Sequence, residues 1–275
     1  MNTSKIREFV AGDHEKLEGW FFGLDQIVFF ELASMQQQLN IAGDICEVGV
    51  FKGKSLAFLS LLRWSDEIIY GFDLFVEDHL ETTQTNLEKF GVPENINLTK
   101  GLTSDIATEN LTKLIARPLR FLHIDAGHEY HEVLEQLLIF SPYLDDRAII
   151  AMDDYQDREF PGVGAAVLDF SERDRPRRFV PFLAGGNKMY LCHVSNAPQF
   201  QRFLLSQPNF KDTCRLTRVK DYDVLIARSK LPVASETIVR QITRSRFPRR
   251  DVAEMSLADQ SKAYAQISFG SGIED

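Results

Sequence analysis

Residues 47–55 read Glu-Val-Gly-Val-Phe-Lys-Gly-Lys-Ser, an apolar run that breaks into a glycine turn and then a polar helix start. The second half, GVFKGKS, is one residue short of the phosphate-binding loop of nucleotide triphosphatases. That loop needs four residues between its first glycine and the Gly-Lys-Ser, so that a ring of backbone N–H groups can close around a phosphate. Between Gly49 and Gly53 there are three. AIIAMDD, residues 148–154, adds an apolar strand ending in acid, the partner that holds magnesium in such enzymes. The choice between a triphosphate site and another ligand therefore rests on what surrounds the glycines.

Outward from this stretch, short apolar runs ending in turn or acidic residues alternate with longer segments of helical period, the pattern of a parallel sheet wrapped by helices. The expected strands are DICEVGV (44–50), EIIYGFD (67–73), NINLTKG (95–101), LRFLHID (119–125) and AIIAMDD (148–154). Helical spacing recurs in LAFLSLLRW, ETTQTNLEKF, SDIATENLTKLI, YHEVLEQLLIFSPYL and GVGAAVLDF. RFVPFL (178–183) and KMYLCHV (188–194) flank Ala-Gly-Gly-Asn, a hairpin signal, so the sheet is expected to finish antiparallel. LDQIVFFELASMQQQL predicts a helix before the first strand, and PQFQRFLLSQ and YDVLIAR a helix and a late strand after the hairpin. The division predicted is an N-terminal helical segment (1–42), a core domain (43–230) and a C-terminal extension (231–275), where the apolar blocks lapse.

Bulk properties narrow the function. A net charge of −9 disfavours a general nucleic-acid binder, and no run of eighteen apolar residues exists to span a membrane. The three cysteines, Cys46, Cys192 and Cys214, are widely spaced, which indicates neither a disulfide framework nor a zinc site. A cytoplasmic protein acting on a small molecule is the expectation.

In open sheets of this kind a ligand lies beyond the carboxyl ends of the strands. Glu47, Asp73, Asp125, Asp153 and Asp154 all fall at such ends. Acids there repel a polyphosphate and suit a cationic ligand rich in hydroxyls. The dinucleotide fingerprint is missing too, because Glu47 stands where its first glycine would be. What remains is E-x-G-x-x-x-G with Asp73 placed to accept hydrogen bonds from two ribose hydroxyls, which fits S-adenosylmethionine.

On GDICEVGVFKGKS, GFDLF, FLHIDAGHEYHEVLEQLLIFSPYLDDRAIIAMDDY and FPGVGAAVLDF, in that order from Gly43 to Val194, the chain resembles the class I S-adenosylmethionine-dependent methyltransferases. The branch it is most similar to is that of macrocin O-methyltransferase and related sugar and antibiotic enzymes. The resemblance implies a Rossmann-like α/β fold: a mostly parallel seven-stranded sheet, an antiparallel final hairpin and helices on both faces. It implies that Glu47, Gly49 and Gly53 line the methionine and ribose end, that Asp73 holds the ribose, and that Gly101–Asp105, with Thr103 and Ser104, approaches the adenine. Ser55 and Asp125 complete the expected cofactor set, although Ser55 also reads as a polar first-turn residue.

The same resemblance assigns Asp125, Asp153 and Asp154 to Mg2+, and three convergent carboxylates do call for a hard cation or for protons. The implied reaction is methyl transfer to a hydroxyl of a small metabolite, a sugar, polyol or phenol. His128, three residues after Asp125, is the candidate general base, since imidazole titrates near neutrality. Relatives commonly read D-G-D-H where this chain has Asp125-Ala126-Gly127-His128, so a second acid available to them is missing here.

Plainer readings stand beside these. Asp153-Asp154 can be a helix cap, His128 an orienting residue, His123 a core histidine, His131 a helix-surface residue, and Lys54 a surface cation. RQITRSRFPRR (240–250), with five arginines, can be a solvated face. The rival functions are a metal-independent N- or O-methyltransferase, a nucleotide triphosphatase, and a non-catalytic partner subunit; a homo-oligomer is compatible with each.

Overall fold

The structure, a computed structural model, describes residues 3–90, 95–106, 108–173 and 178–228. The arginine run at 240–250 and all of the expected C-terminal extension (231–275) lie outside them.

Two helices, α1 (Thr3–Ala11) and α2 (Gly23–Gln38), precede β1 (Asp44–Val48). Then come α3 (Lys54–Leu62), β2 (Ile69–Asp73), α4 (His79–Lys89), β3 (Ile96–Lys100), α5 (Thr108–Leu114), β4 (Leu119–Ile124), α6 (Tyr130–Phe140), β5 (Leu144–Met152) and α7 (Pro161–Glu172). The hairpin β6 (Phe179–Gly185) and β7 (Lys188–His193), α8 (Ala197–Ser206) and a second hairpin, β8 (Arg215–Val219) and β9 (Tyr222–Ile226), complete the described chain.

One sheet holds all nine strands in the order β3-β2-β1-β4-β5-β7-β6-β9-β8. β1 to β5 are mutually parallel, and β7 runs against both β5 and β6, as the Ala-Gly-Gly-Asn hairpin requires. β1 to β7 are the seven expected strands and β9 is the late strand expected at YDVLIAR; β8 is added, making nine among the described residues. β9 pairs parallel with β6, and β8 folds back beside β9 as an edge strand.

Side chains alternate across the sheet, so each strand supplies two cores. Ile45, Phe121, Ile149, Ala151, Phe182 and Tyr190 face α1, α2, α3 and α8. Cys46, Val48, Leu122, Ile124, Ile150 and Met152 face α5, α6 and α7. Their near-continuous apolar sequences follow from burial on both faces.

Helix α2 is buried nearly all round, with 13 of its 16 residues buried, polar ones among them, so it is a core helix rather than an amphipathic one lying on a surface. At its C-terminal end Gln36 exchanges hydrogen bonds with Arg120, donating to its carbonyl at 2.6 Å and accepting from its guanidinium at 2.7 Å. Arg120, 1% exposed, is paired bidentately with the equally buried Glu67 at 2.6 and 2.7 Å, the geometry in which a buried arginine is best compensated.

Candidate active site

Between β1 and α3 the chain turns through Gly49, at φ 87°, and Gly53, at φ 82°. Gly49 admits no other residue: a Cβ there would sit 1.9 Å from the carbonyl oxygen of Asp125. That contact is backbone to backbone, so the glycine loop lies directly against the end of β4. A Cβ on Gly53 would meet Thr83 of α4 at 2.9 Å. Thr83 and Asn86 in turn donate to the carbonyls of Phe51 and Lys52, which fastens the loop to α4.

The amides of this loop are already engaged. Val50 and Phe51 N–H both donate to one carboxylate oxygen of Asp73 at 2.8 Å, and Phe75 N–H donates to the other at 2.6 Å. A carboxylate offers about four lone-pair sites, so Asp73 braces the loop and keeps limited capacity for a ribose hydroxyl. A phosphate would find these two amides occupied by an anion, which removes the physical basis of the triphosphatase reading. Around Asp73 the rim is apolar and open: Leu74, Val76 and Leu102 are about half exposed, and Thr103–Asp105 forms a short 3-10 turn beside them. Ser55 is buried in the first turn of α3. Lys54 is only half-buried and donates to the Gly19 carbonyl at 2.9 Å. Trp20, 65% exposed, leans over Phe51 from the N-terminal segment.

At the ends of β4 and β5 the acids form two overlapping groups that share Asp125, which also lies within 4.8 Å of the ligand atoms of His123 and Asp153. The outer group is Asp125, His128 and Asp154, whose ligand atoms lie within 4.8 Å of one another. His128 Nε2 is 3.0 Å from Asp154 Oδ2, and its ring stacks on Phe160 at 3.9 Å between centroids. Asn187 holds the other Asp154 oxygen at 2.9 Å. Asp154 itself has φ 54° in a turn, well before α7, whose N-cap is Phe160; the helix-cap reading of the Asp153-Asp154 pair is overturned. Gly127, at φ 69°, tucks under Glu132, the capping-box residue of α6, and so turns the chain to present His128. His131 is exposed on α6 as expected.

Apart from the shared Asp125, the inner group is buried. His123 Nδ1 pairs with Glu47 at 2.7 Å, and its Nε2 lies 3.9 Å from Asp153. The core-histidine reading of His123 therefore holds. Glu47 is 0% exposed, and its second oxygen has no hydrogen-bond partner among the described residues. Asp153 forms a close ion pair with the ammonium of Lys188 through Oδ2, while its Oδ1 accepts from Asp154 N–H at 2.8 Å. Lys188 is 2% exposed, and its ammonium stands 3.9 Å from Asp25 on the first turn of α2.

Electrostatics follows from these contacts. Burial, then the charge of Asp153, pushes the Asp125 carboxyl well up, against the pull of Lys188. Burial works to raise Asp153 as well, but Lys188 and then His123 outweigh it and hold that group low. Burial raises Asp25 to about 7 despite Lys188. Burial would lower Lys188, yet Asp153 and Asp25 carry it upward, so it stays cationic. Sequence reasoning missed both Lys188 and Asp25. Each is a charged residue in an otherwise largely apolar element, an oddity that does not name its partner.

The sheet order and the glycine loop after β1 are those of a Rossmann-like methyltransferase fold. Residues 46–155 match the family model described as a methyltransferase domain. Over 129 residues the chain is 28% identical to an uncharacterised protein of Acanthamoeba polyphaga mimivirus, covering 45% of this chain and 58% of that relative; the match spans a little over half the relative's length. CalS11, described as a TDP-rhamnose 3'-O-methyltransferase of calicheamicin biosynthesis, is similar in structure, with TM-score 0.50 and 20% identity over 61% of this chain and 79% of that one. So is an O-methyltransferase from Bacillus cereus in complex with S-adenosylhomocysteine, with TM-score 0.51 and 16% identity over 69% and 90%. Among the described residues no helix is long and apolar enough to cross a membrane.

Proposed function

We propose that the protein methylates a hydroxyl of a small metabolite, a sugar, polyol or phenol, with S-adenosylmethionine as donor. The observation that carries the reading is the contact of Gly49 with Asp125. It sets the cofactor loop against the acids and imidazole of the outer group, and displacement at a methyl carbon needs donor and acceptor about 3 Å apart. The donor supplies an electrophilic methyl group on a sulfonium.

For the residues present, S-adenosylmethionine is a fitting ligand. Asp73 retains acceptor capacity for a ribose hydroxyl, Leu74, Val76 and Leu102 offer apolar cover for a purine, and Glu47 keeps one carboxylate oxygen without a hydrogen-bond donor. His128 acts as base. With Nε2 donating to Asp154, Nδ1 would take the acceptor's hydroxyl proton, while the bound donor would supply the methyl group and leave as the neutral thioether. Stacking on Phe160 and the bond to Asp154 fix the ring, the orienting partnership that a catalytic imidazole requires. The products are a methyl ether, S-adenosylhomocysteine and a proton held at His128.

Magnesium on Asp125, Asp153 and Asp154 fits poorly. Asp153 already carries a lysine ammonium on one oxygen and an amide on the other, which leaves two carboxylates and an imidazole where Mg2+ prefers oxygen ligands throughout. No step is assigned to a metal.

Titration calorimetry with S-adenosylhomocysteine tests the reading. Stoichiometric binding is expected, with no heat from ATP. Binding of ATP without S-adenosylhomocysteine would overturn it.

A further inference from the structure

We propose that Lys188 is the built-in cation of the acceptor site, taking the place a divalent ion would hold beside Asp153, so that the site works without a metal. The proposal rests on the methyltransferase reading above and deepens it by assigning the charge that holds the acids together.

Topology brings the lysine there. β7 runs antiparallel to β5, with Met152 paired to Met189, so the first residue of β7 arrives at the same rim where β5 ends in Asp153. A parallel strand at this position would deliver its first residue to the opposite end of the sheet. Lys188 therefore reaches Asp153 from within the sheet, beneath the surface that faces the acceptor.

The ammonium is gripped from two sides. Asp153 Oδ2 is in direct contact, and Asp25 Oδ2 stands 3.9 Å away on the far side. Neither oxygen of Asp25 has a hydrogen-bond partner among the described residues, so Lys188 is the charge that compensates it. The hairpin turn is pressed onto the same carboxylate: a Cβ on Gly186 would lie 2.3 Å from Asp25 Oδ1. Lys188 is 2% exposed.

A divalent ion bound to Asp153 would stand beside a buried, immobile ammonium, and like charges at that range in a weakly screened interior repel strongly. Displacing the ammonium would leave it with Asp25 alone. Of the remaining outer residues, Asp154 is held by His128 and Asn187, while Asp125 lies beside both Asp154 and Asp153. Lys188 is thus a positioning residue: it acts through Asp153, whose Oδ1 receives the Asp154 amide, and so sets the backbone turn that aims Asp154 at His128.

Mn2+ titration followed by electron paramagnetic resonance, on the full chain with S-adenosylhomocysteine present, reads this directly. The wild-type protein is expected to show no bound Mn2+ below about 1 mM, weaker than dedicated carboxylate sites. Lys188→Met, which removes the charge and keeps the apolar stem, is expected to bind one Mn2+ at least ~10-fold more tightly than wild type, the scale on which neighbours of metal ligands act, and to melt higher when Mn2+ is added. Lys188→Arg should stay blind to the ion. One Mn2+ bound in the micromolar range by the wild-type protein would overturn the proposal, and that measurement needs no variant to fold. A folded Lys188→Met protein that ignores Mn2+ would overturn it equally. Failure to bind S-adenosylhomocysteine at the outset would instead strike the methyltransferase reading.

Discussion

Replacing Asp73 with alanine separates the bracing of the glycine loop from the ribose contact proposed for the same carboxylate. The structure gives its carboxylate three backbone donors, Val50, Phe51 and Phe75. Truncation leaves all three N–H groups without their acceptor at a half-buried site. An unsatisfied buried donor costs about 1–3 kcal/mol, and because water reaches part of this loop the lower end applies, for a total of roughly 3 kcal/mol. Thr83 and Asn86 still tether the loop from α4, so unfolding is local at first and the protein should remain soluble. For a domain of this size each kcal/mol lowers the melting temperature by about 2–4 °C, which gives a fall of roughly 6–12 °C for the ligand-free protein. Asp73→Asn should lie between the two: its amide oxygen keeps the Val50 and Phe51 bonds, and its NH2 opposes Phe75 N–H. The assay is a thermal melt without ligand, followed by titration with S-adenosylhomocysteine. An Asp73→Ala protein whose ligand-free melting temperature matches wild type, with only the titration affected, would show that Asp73 serves the ligand and does not brace the loop.

Three further outcomes are expected. Gly49→Ala places a Cβ 1.9 Å from the Asp125 carbonyl oxygen at a positive φ, so a loss above about 4 kcal/mol and insoluble expression should follow; a soluble variant with wild-type melting would refute the close approach. His128→Asn should lower turnover on a hydroxylated acceptor by roughly 10²- to 10⁴-fold while calorimetry shows S-adenosylhomocysteine affinity intact, and undiminished turnover would remove His128 as base. Asp25 titrates near 7 when folded and near 3.8 as a free side chain, so between those values the folded state binds more protons and stability declines as pH rises. Asp25→Asn removes that decline, and its melting temperature relative to wild type should climb from pH 5 to pH 8; a difference that stays flat with pH would contradict the buried, ionisable Asp25.

Much of the architecture was legible because burial on both faces writes near-continuous apolar runs: Ile45–Val48, broken only by Glu47, Ile69–Phe72 and Ala148–Met152 were recognisable as strands from composition. β8 escaped notice because Arg215-Leu216-Thr217-Arg218-Val219 is an exposed edge strand with little core to bury. At the site, Asp73, Asp125 and Asp154 could be picked out as strand-end acids, and the Gly-rich turn announced itself. Lys188 and Asp25 could not, since their pairing joins the first turn of α2 to a strand near the far end of the chain, and no local periodicity records a contact of that kind. The three aspartates at the ends of β4 and β5 looked equivalent in sequence; their division into an outer and an inner group comes from the antiparallel strand that slides a cation behind one of them.

Helix α2 runs from one end of the sheet to the other. Asp25 meets Lys188 at the rim, Glu31 receives Asn209 from beyond α8 at 2.6 Å, and Gln36 meets Arg120 at the floor. A fragment trimmed to residues 46–155, where the family match falls, would therefore lack both the central strut of one core and the hairpin bearing the lysine. Such a piece would expose Phe121 and Ile149 and strand Arg120 without Gln36. The stretch that sequence comparison recognises is a signature, and expression, crystallisation or domain grafting should keep α2 and the β6–β7 hairpin rather than stop at the signature's edges.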